Sequence, residues 1–326
     1  MNMPNMVRSP TRVERSPVLD SRRWDTFRPR DGDIVIATFA KCGTTWTQRI
    51  VDLLVHQSPD ARPFGDMSPW LDATIFNPLE EDLALLETQK HRRYIKSHLP
   101  FDALPVWDTV KYVHVARDAR DARLSWKNHE EGFTDEAKER IGANVMALAA
   151  EAGVPPGPPP PPSASDPRQF LLQWLDQLEL AVETPEGLRS TFFGFEATYW
   201  RERHRPNLLL VHYNDLKEDL LGEMRRISDF LGIDTPPSVM PALVQAATFE
   251  TMKQGGDALY PKLRIMFDRG AERFLNQGRS GRWRDHLLPE DVARYDALVR
   301  RAASPGLASW LERGRLGGPE IAELSD

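Results

Sequence analysis

The residues best suited to chemistry stand between positions 34 and 54. Lys41, Cys42, Gly43, Thr44, Thr45 and Trp46 follow the apolar run Ile34-Val35-Ile36-Ala37 and lead into an amphipathic stretch ending at Leu54. A short strand, a tight turn with a glycine and paired hydroxyls, and then a helix aim backbone N–H groups at one point. That arrangement is an anion site suited to phosphate or sulfate. Lys41 adds a mobile positive charge. The spacing is not the nucleotide-loop pattern G-x-x-x-x-G-K-[ST], because the lysine precedes the glycine and no glycine opens the loop.

Four short apolar runs supply the strands that would carry such a loop: 34–38, 93–97, 111–117 and 207–213. Helical pattern separates each from the next, the mark of βαβ units and a parallel sheet. After the first strand, Trp46, Ile50, Leu53 and Leu54 share one helical face, so the loop is backed by a buried helix. Polar residues gather just past the strand ends, where open α/β sheets bind ligands. The spacing predicts further helices over 80–89, 219–231, 239–247 and 289–301, with a loop over 65–78. Val154 to Pro167 is dominated by proline and cannot continue a helix or pair in a sheet, so it reads as a surface insertion. The expected organisation is an N-terminal arm over 1–29, one domain over 30–302 that includes this insertion, and a C-terminal extension over 303–326.

Composition narrows the classes. With 326 residues, 40% hydrophobic and 28% charged, the chain can bury a large core. The net charge of -6 argues against a general nucleic-acid binder. A single cysteine excludes an intrachain disulfide and fits a reducing compartment. Neither a signal-peptide core at the N-terminus nor an apolar run of bilayer length is present. A cytoplasmic protein without a membrane span is the expectation.

Further patches share a common pattern with the loop. They are Lys96-Ser97-His98-Leu99-Pro100, Arg117-Asp118 through Ser125, Leu210 to Asp219 around Tyr213, Thr248-Phe249 to Met252-Lys253, and Gly278-Arg-Ser-Gly281-Arg-Trp283. In this order they resemble a bacterial-like member of the cytosolic-type sulfotransferases, over about Arg30 to Leu298. The resemblance implies a three-layer α/β fold like that of P-loop nucleotide kinases, with a central, mostly parallel sheet flanked by helices. It also implies transfer of a sulfuryl group from 3′-phosphoadenosine 5′-phosphosulfate (PAPS) to an acceptor hydroxyl, or less readily an amine, of a small hydrophobic molecule. On this resemblance His98 is the general base and Lys41 and Lys96 are catalytic cations. The donor would be bound by Lys41, Cys42, Gly43, Thr44, Thr45, Trp46, Arg117, Ser125, Tyr213, Phe249, Met252 and Gly278. No metal ligand set is expected, and no oligomeric state is carried over.

Two departures matter. Asn276 and Gln277 stand where family members carry two cations for the 3′-phosphate, which leaves Arg279 as a candidate replacement. In the loop, Cys42 reads first as a small filler, with a pKa lowered by the N–H groups and Lys41 as the alternative. Trp70, Phe76, Phe101 and Trp126 are candidates for an apolar acceptor pocket. His129-Glu130-Glu131 lacks zinc-site spacing and reads as structural, and Arg22-Arg23 and Arg300-Arg301 read as solvated charges. Taken singly, Lys41, His98, Arg117 and Trp46 all have ordinary structural explanations. A P-loop kinase and a non-catalytic nucleotide-binding protein are the rival functions.

Overall fold

The computed structural model describes residues 3–158 and 162–318. Its strands are β1 (Met6–Arg8), β2 (Ile34–Ala37), β3 (Tyr94–Ser97), β4 (Val106–Trp107), β5 (Lys111–Ala116) and β6 (Leu208–His212). The four apolar runs become β2, β3, β5 and β6, one parallel sheet in the order β3-β2-β5-β6. Side chains alternate across it, as a period of two requires. Ile34, Ile36, Val113, Val115 and Val211 face one core, and Val35, Ala37, Tyr112, Ala116, Leu208 and Leu210 the other. Each fully buried Ile or Val on these faces contributes roughly 1.5–3 kcal/mol.

The helices that position the site are α1 (Thr44–His56), α2 (Phe64–Met67), α3 (Leu79–Thr88), α4 (Ala119–Glu131), α5 (Asp135–Ala152) and α6 (Pro167–Ala181). On one face of the sheet, α1 packs beside the helices Leu220–Leu231 and Met240–Ala246; on the other, α6 packs with Phe192–Trp200 and Pro289–Ala302. From β2 the chain passes through α1 to β3 on one side, and from β5 through α4 to β6 on the other. The loops after β2 and β5 therefore part in opposite directions, which opens a crevice at their C-terminal ends.

The arm is tied to the body. Its β1 pairs antiparallel with β4, and Trp24 and Phe27 are buried. Arg23 departs from the solvated reading: its guanidinium donates to Leu71 O (2.6 Å) and Asn77 O (3.2 Å) and pairs with Asp82 (3.0 Å). Residues 154–158 and 162–166 link α5 to α6 as exposed loop, and the rest of the proline run, 159–161, lies outside the described residues. Beyond 303, the helix Pro305–Arg313 buries Leu307, Trp310 and Leu311 in the main core, and Leu311 O lies 3.1 Å from His212 Nε2. Residues 319–326 of the expected extension lie outside the described residues.

Candidate active site

The loop between β2 and α1 turns on two residues with left-handed backbone, Lys41 (φ 69°) and Gly43 (φ 116°). Gly43 is required twice over, because a Cβ there would approach the Tyr213 ring to 3.0 Å. Thr44, Thr45 and Trp46 form the first turn of α1, so their N–H groups have no carbonyl within the helix. Thr38 and Thr44 share a hydroxyl contact of 2.5 Å across the loop. Cys42 is a buried filler of the loop and not a thiol of lowered pKa. Its thiol is fully buried in the core and its N–H donates to Phe39 O (3.3 Å). Burial pushes the thiol pKa well up, outweighing Lys41 and Arg117.

In register with Ile36, Lys96 stands near the end of β3, and His98 follows just beyond the strand. His98 Nδ1 lies 2.7 Å from Thr38 O, a contact only an Nδ1–H can make as a hydrogen bond, so the proton is fixed there and Nε2 is left with its lone pair. The neighbouring His114 has no such freedom, with Nδ1 on Ala37 O (2.9 Å) and Nε2 on Glu196 (2.8 Å). Burial, then Lys96, lowers the His98 pKa to about 3, so the ring is neutral. The two lysines are depressed as well. Burial, with Lys96 and Arg117 adding to it, brings Lys41 to about 7, and burial brings Lys96 to about 8. Lys41, Lys96 and Arg117 thus converge on one crevice, with Asp72 the carboxylate that bears on Lys96.

Sequence reading passed over Asp72, which organises this corner. Buried in the middle of the loop over 65–78, it accepts from His98 N (3.0 Å), Trp70 Nε1 (2.8 Å) and Trp24 Nε1 (3.2 Å). Trp70 in turn meets His98 edge-on at 4.8 Å and places its ring under Lys96 Nζ at 4.0 Å. No local pattern marks Asp72, because Trp24 and His98 are distant in sequence.

At the end of β5, Arg117 stacks on Tyr213 (4.1 Å) and donates to Lys41 O (3.2 Å) and Arg279 O (3.0 Å). Its Nε is buried without a partner. Ser125 lies half-buried on α4. The glycine-rich segment is clamped over this corner: Asp121 accepts from Gly281 N (2.5 Å) and Arg282 N (2.9 Å), Lys217 Nζ donates to Gly278 O (2.5 Å), and Ser280 donates to Asn214 (2.6 Å). Arg279 is exposed and paired with Asp285 at 3.0 Å, whereas Arg282 is half-buried and feels Arg117, which helps depress its pKa after burial. Arg282 is therefore better placed than Arg279 to supply charge beside Arg117. Trp46 donates to Ala247 O (2.7 Å) and packs with Phe249 and Met252, which brings the remaining nucleotide-side candidates together.

Of the expected pocket aromatics, Trp70, Phe76 and Trp126 stay near the crevice, with Trp70 and Phe76 5.7 Å apart. Phe101 does not line it. It is fully buried between Tyr112 and Tyr199. Its place is taken by Phe133, Phe267 and Phe274, which gather around His129. His129 itself lies at the crevice, 3.2 Å from Lys41 Nζ, so it is not remote from the chemistry. The usable signal was its place four residues after Ser125, on the same face of α4.

Residues 31–306 match the family model described as "Sulfotransferase domain". A glycolipid sulfotransferase of Mycobacterium bovis (strain BCG / Pasteur 1173P2) is 36% identical over 316 residues, 94% of this chain and 95% of the relative. Sulfotransferase 1B1 of Mus musculus is 25% identical over 88% of this chain and 87% of the relative. Among solved structures, a mouse sulfotransferase complexed with PAP superposes with a TM-score of 0.60 at 21% identity, over 88% of this chain and 90% of that one.

Proposed function

The chain belongs to the sulfotransferase family, and from that premise we propose that it transfers a sulfuryl group from PAPS to a hydroxyl on an apolar acceptor, with His98 as base. The observation that carries this reading is the His98 tautomer: Thr38 O holds the proton on Nδ1, leaving Nε2 free beside Lys41 and Lys96. His114 has neither ring nitrogen to spare.

The residues present fit the donor. The N–H groups in the first turn of α1, which has no side-chain cap, suit the 5′-phosphate, and the orphaned Arg117 Nε, with Arg282 near it, suits the 3′-phosphate. Tyr213, Trp46, Phe249, Met252 and Gly278 offer an apolar bed for adenine. When bound, the donor supplies a sulfuryl group attached through a phosphate oxygen. Lys41 would hold its charge at that oxygen, and Lys96, kept in place by Trp70, would stand beside the sulfuryl oxygens. His98 Nε2 takes the acceptor proton, with Nδ1 fixed on Thr38 O so that the ring need not reorient. Anionic charge in the crevice would also offset the lysine fields that hold His98 so acidic, raising its basicity when it is needed.

For the acceptor we favour an amphiphile whose hydroxyl reaches His98 while its apolar part meets the aromatic side of the crevice. Trp70, Phe76, Trp126, Phe133 and Phe267 support this, as does the relative named for glycolipids. The test is direct transfer from PAPS, with and without Mg²⁺, to a panel of simple phenols, long-chain alcohols, free sugars and glycolipids, read by mass spectrometry. Metal-independent transfer to amphiphilic acceptors is expected. Phosphoryl transfer from ATP, or exclusive use of free sugars, would defeat the reading.

A further inference from the structure

The crevice holds a second histidine for which the reaction above has no use. His129, in the last turn of α4, places Nδ1 3.2 Å from Lys41 Nζ. Aromatic rings enclose it: the centroids of Phe267, Phe133, Trp126 and Phe274 lie 4.6, 5.0, 5.1 and 5.9 Å away. Phe274 also lies under Lys41 Nζ, at 4.6 Å. The groups that bear on Lys41 are Lys96, Arg117 and the Cys42 thiol, and those that bear on His129 are Lys41, Lys96 and His98. None is a carboxylate. Burial, then Lys41, holds the His129 pKa far below the usual imidazole range, so the ring is neutral. A neutral ring facing an ammonium presents the Nδ1 lone pair and carries its proton on Nε2.

We propose that His129 is the resting partner of Lys41, holding the ammonium on the acceptor side of the crevice until donor binding exchanges this contact for one to the donor's phosphate oxygen. His129 is thus a positioning residue that acts through Lys41. The backbone beneath the exchange is fixed, because Arg117 holds Lys41 O at 3.2 Å. Rotation of the side chain suffices. A contact made only in the free enzyme competes with the ligand, so its removal strengthens binding. The competition exists only while Lys41 is an ammonium. Loss of the acceptor therefore tightens binding below the Lys41 titration, lowers that titration by the logarithm of the same factor, and leaves affinity unchanged well above it.

The proposal rests on the reading that Lys41 meets the donor's 5′ side, and its test separates the two. The probe is the product 3′-phosphoadenosine 5′-phosphate, titrated calorimetrically from pH 6 to pH 9. The proteins are the unmutated chain, His129→Phe and His129→Gln, each with Lys41 and with Lys41→Met. His129→Phe should bind the product on the order of tenfold tighter at pH 6, the scale of one hydrogen bond to a charged group, and converge on the unmutated protein near pH 9. His129→Gln, whose amide oxygen can accept from Lys41, should stay close to the unmutated protein. In the Lys41→Met background His129→Phe should change nothing. Under saturating donor His129→Phe should keep kcat while the donor KM falls. In the unmutated protein, the ¹⁵N shift of His129 Nδ1 should report an accepted hydrogen bond that product binding removes. An unchanged shift, weaker binding by His129→Phe, or equal effects in both Lys41 backgrounds would overturn the proposal. Failure of the unmutated protein to bind the product would instead overturn the donor assignment.

Discussion

Gly278 rests against the ring of Phe249 so closely that a Cβ on it would lie 2.7 Å from Cδ2, and its φ is +60°. The contact joins two segments far apart in sequence into one wall of the proposed nucleotide side, and Lys217 Nζ donates to the Gly278 carbonyl. Only glycine satisfies both the close approach and the left-handed backbone.

Gly278→Ala should therefore weaken binding of 3′-phosphoadenosine 5′-phosphate by about 5- to 150-fold, if the strain costs about 1–3 kcal/mol. Thermal stability should change little, since the segment is a surface loop. Undiminished affinity in calorimetry would remove this wall from the nucleotide site.

Replacing His98 removes the free Nε2. His98→Ala should reduce turnover by about 10²–10⁴-fold, with product affinity nearly unchanged. His98→Asn can still donate to Thr38 O but has no base, so it should be equally slow. A His98→Asn enzyme with near-normal turnover would place the base elsewhere.

Ligand affinity should depend on pH through the two depressed lysines. Lys41, at about 7, is an ammonium below that value and loses its proton above it; Lys96 does so at about 8. An anionic ligand favours the charged forms, so binding above pH 7 takes up protons and affinity falls as pH rises. Titration in buffers of different ionisation enthalpy measures the uptake. In Lys41→Met the limb near pH 7 should vanish and the one near pH 8 remain; a pH-independent affinity would contradict both assignments.

Cys42 is expected to resist alkylation. Its thiol is buried in the core and its pKa is raised, so iodoacetamide near neutral pH should label native protein far more slowly than unfolded protein. Labelling followed by mass spectrometry decides it. Rapid modification of the native chain would show that the loop opens.

Local pattern alone determined the elements that carry the site. Ile34 to Ala37 is a buried strand because four apolar residues precede a turn; α1 is a helix because Ile50, Leu53 and Leu54 recur at helical spacing; and Gly43 marks the bend between them. These are properties of a few consecutive residues, so they are legible in order along the chain. Periodicity names the face that is buried but not what covers it. That limit is where tertiary structure decided the rest. It sent Phe101 into the core between Tyr112 and Tyr199, buried Cys42 beneath the loop it belongs to, and turned Arg23 from a surface charge into a brace for Leu71 and Asp82. It carried His129 across 88 positions to Lys41 and set Asp72 under His98. Such contacts form because the sheet order brings the loops after β2, β3 and β5 to one edge, where burial makes each polar group find a partner that sequence distance conceals.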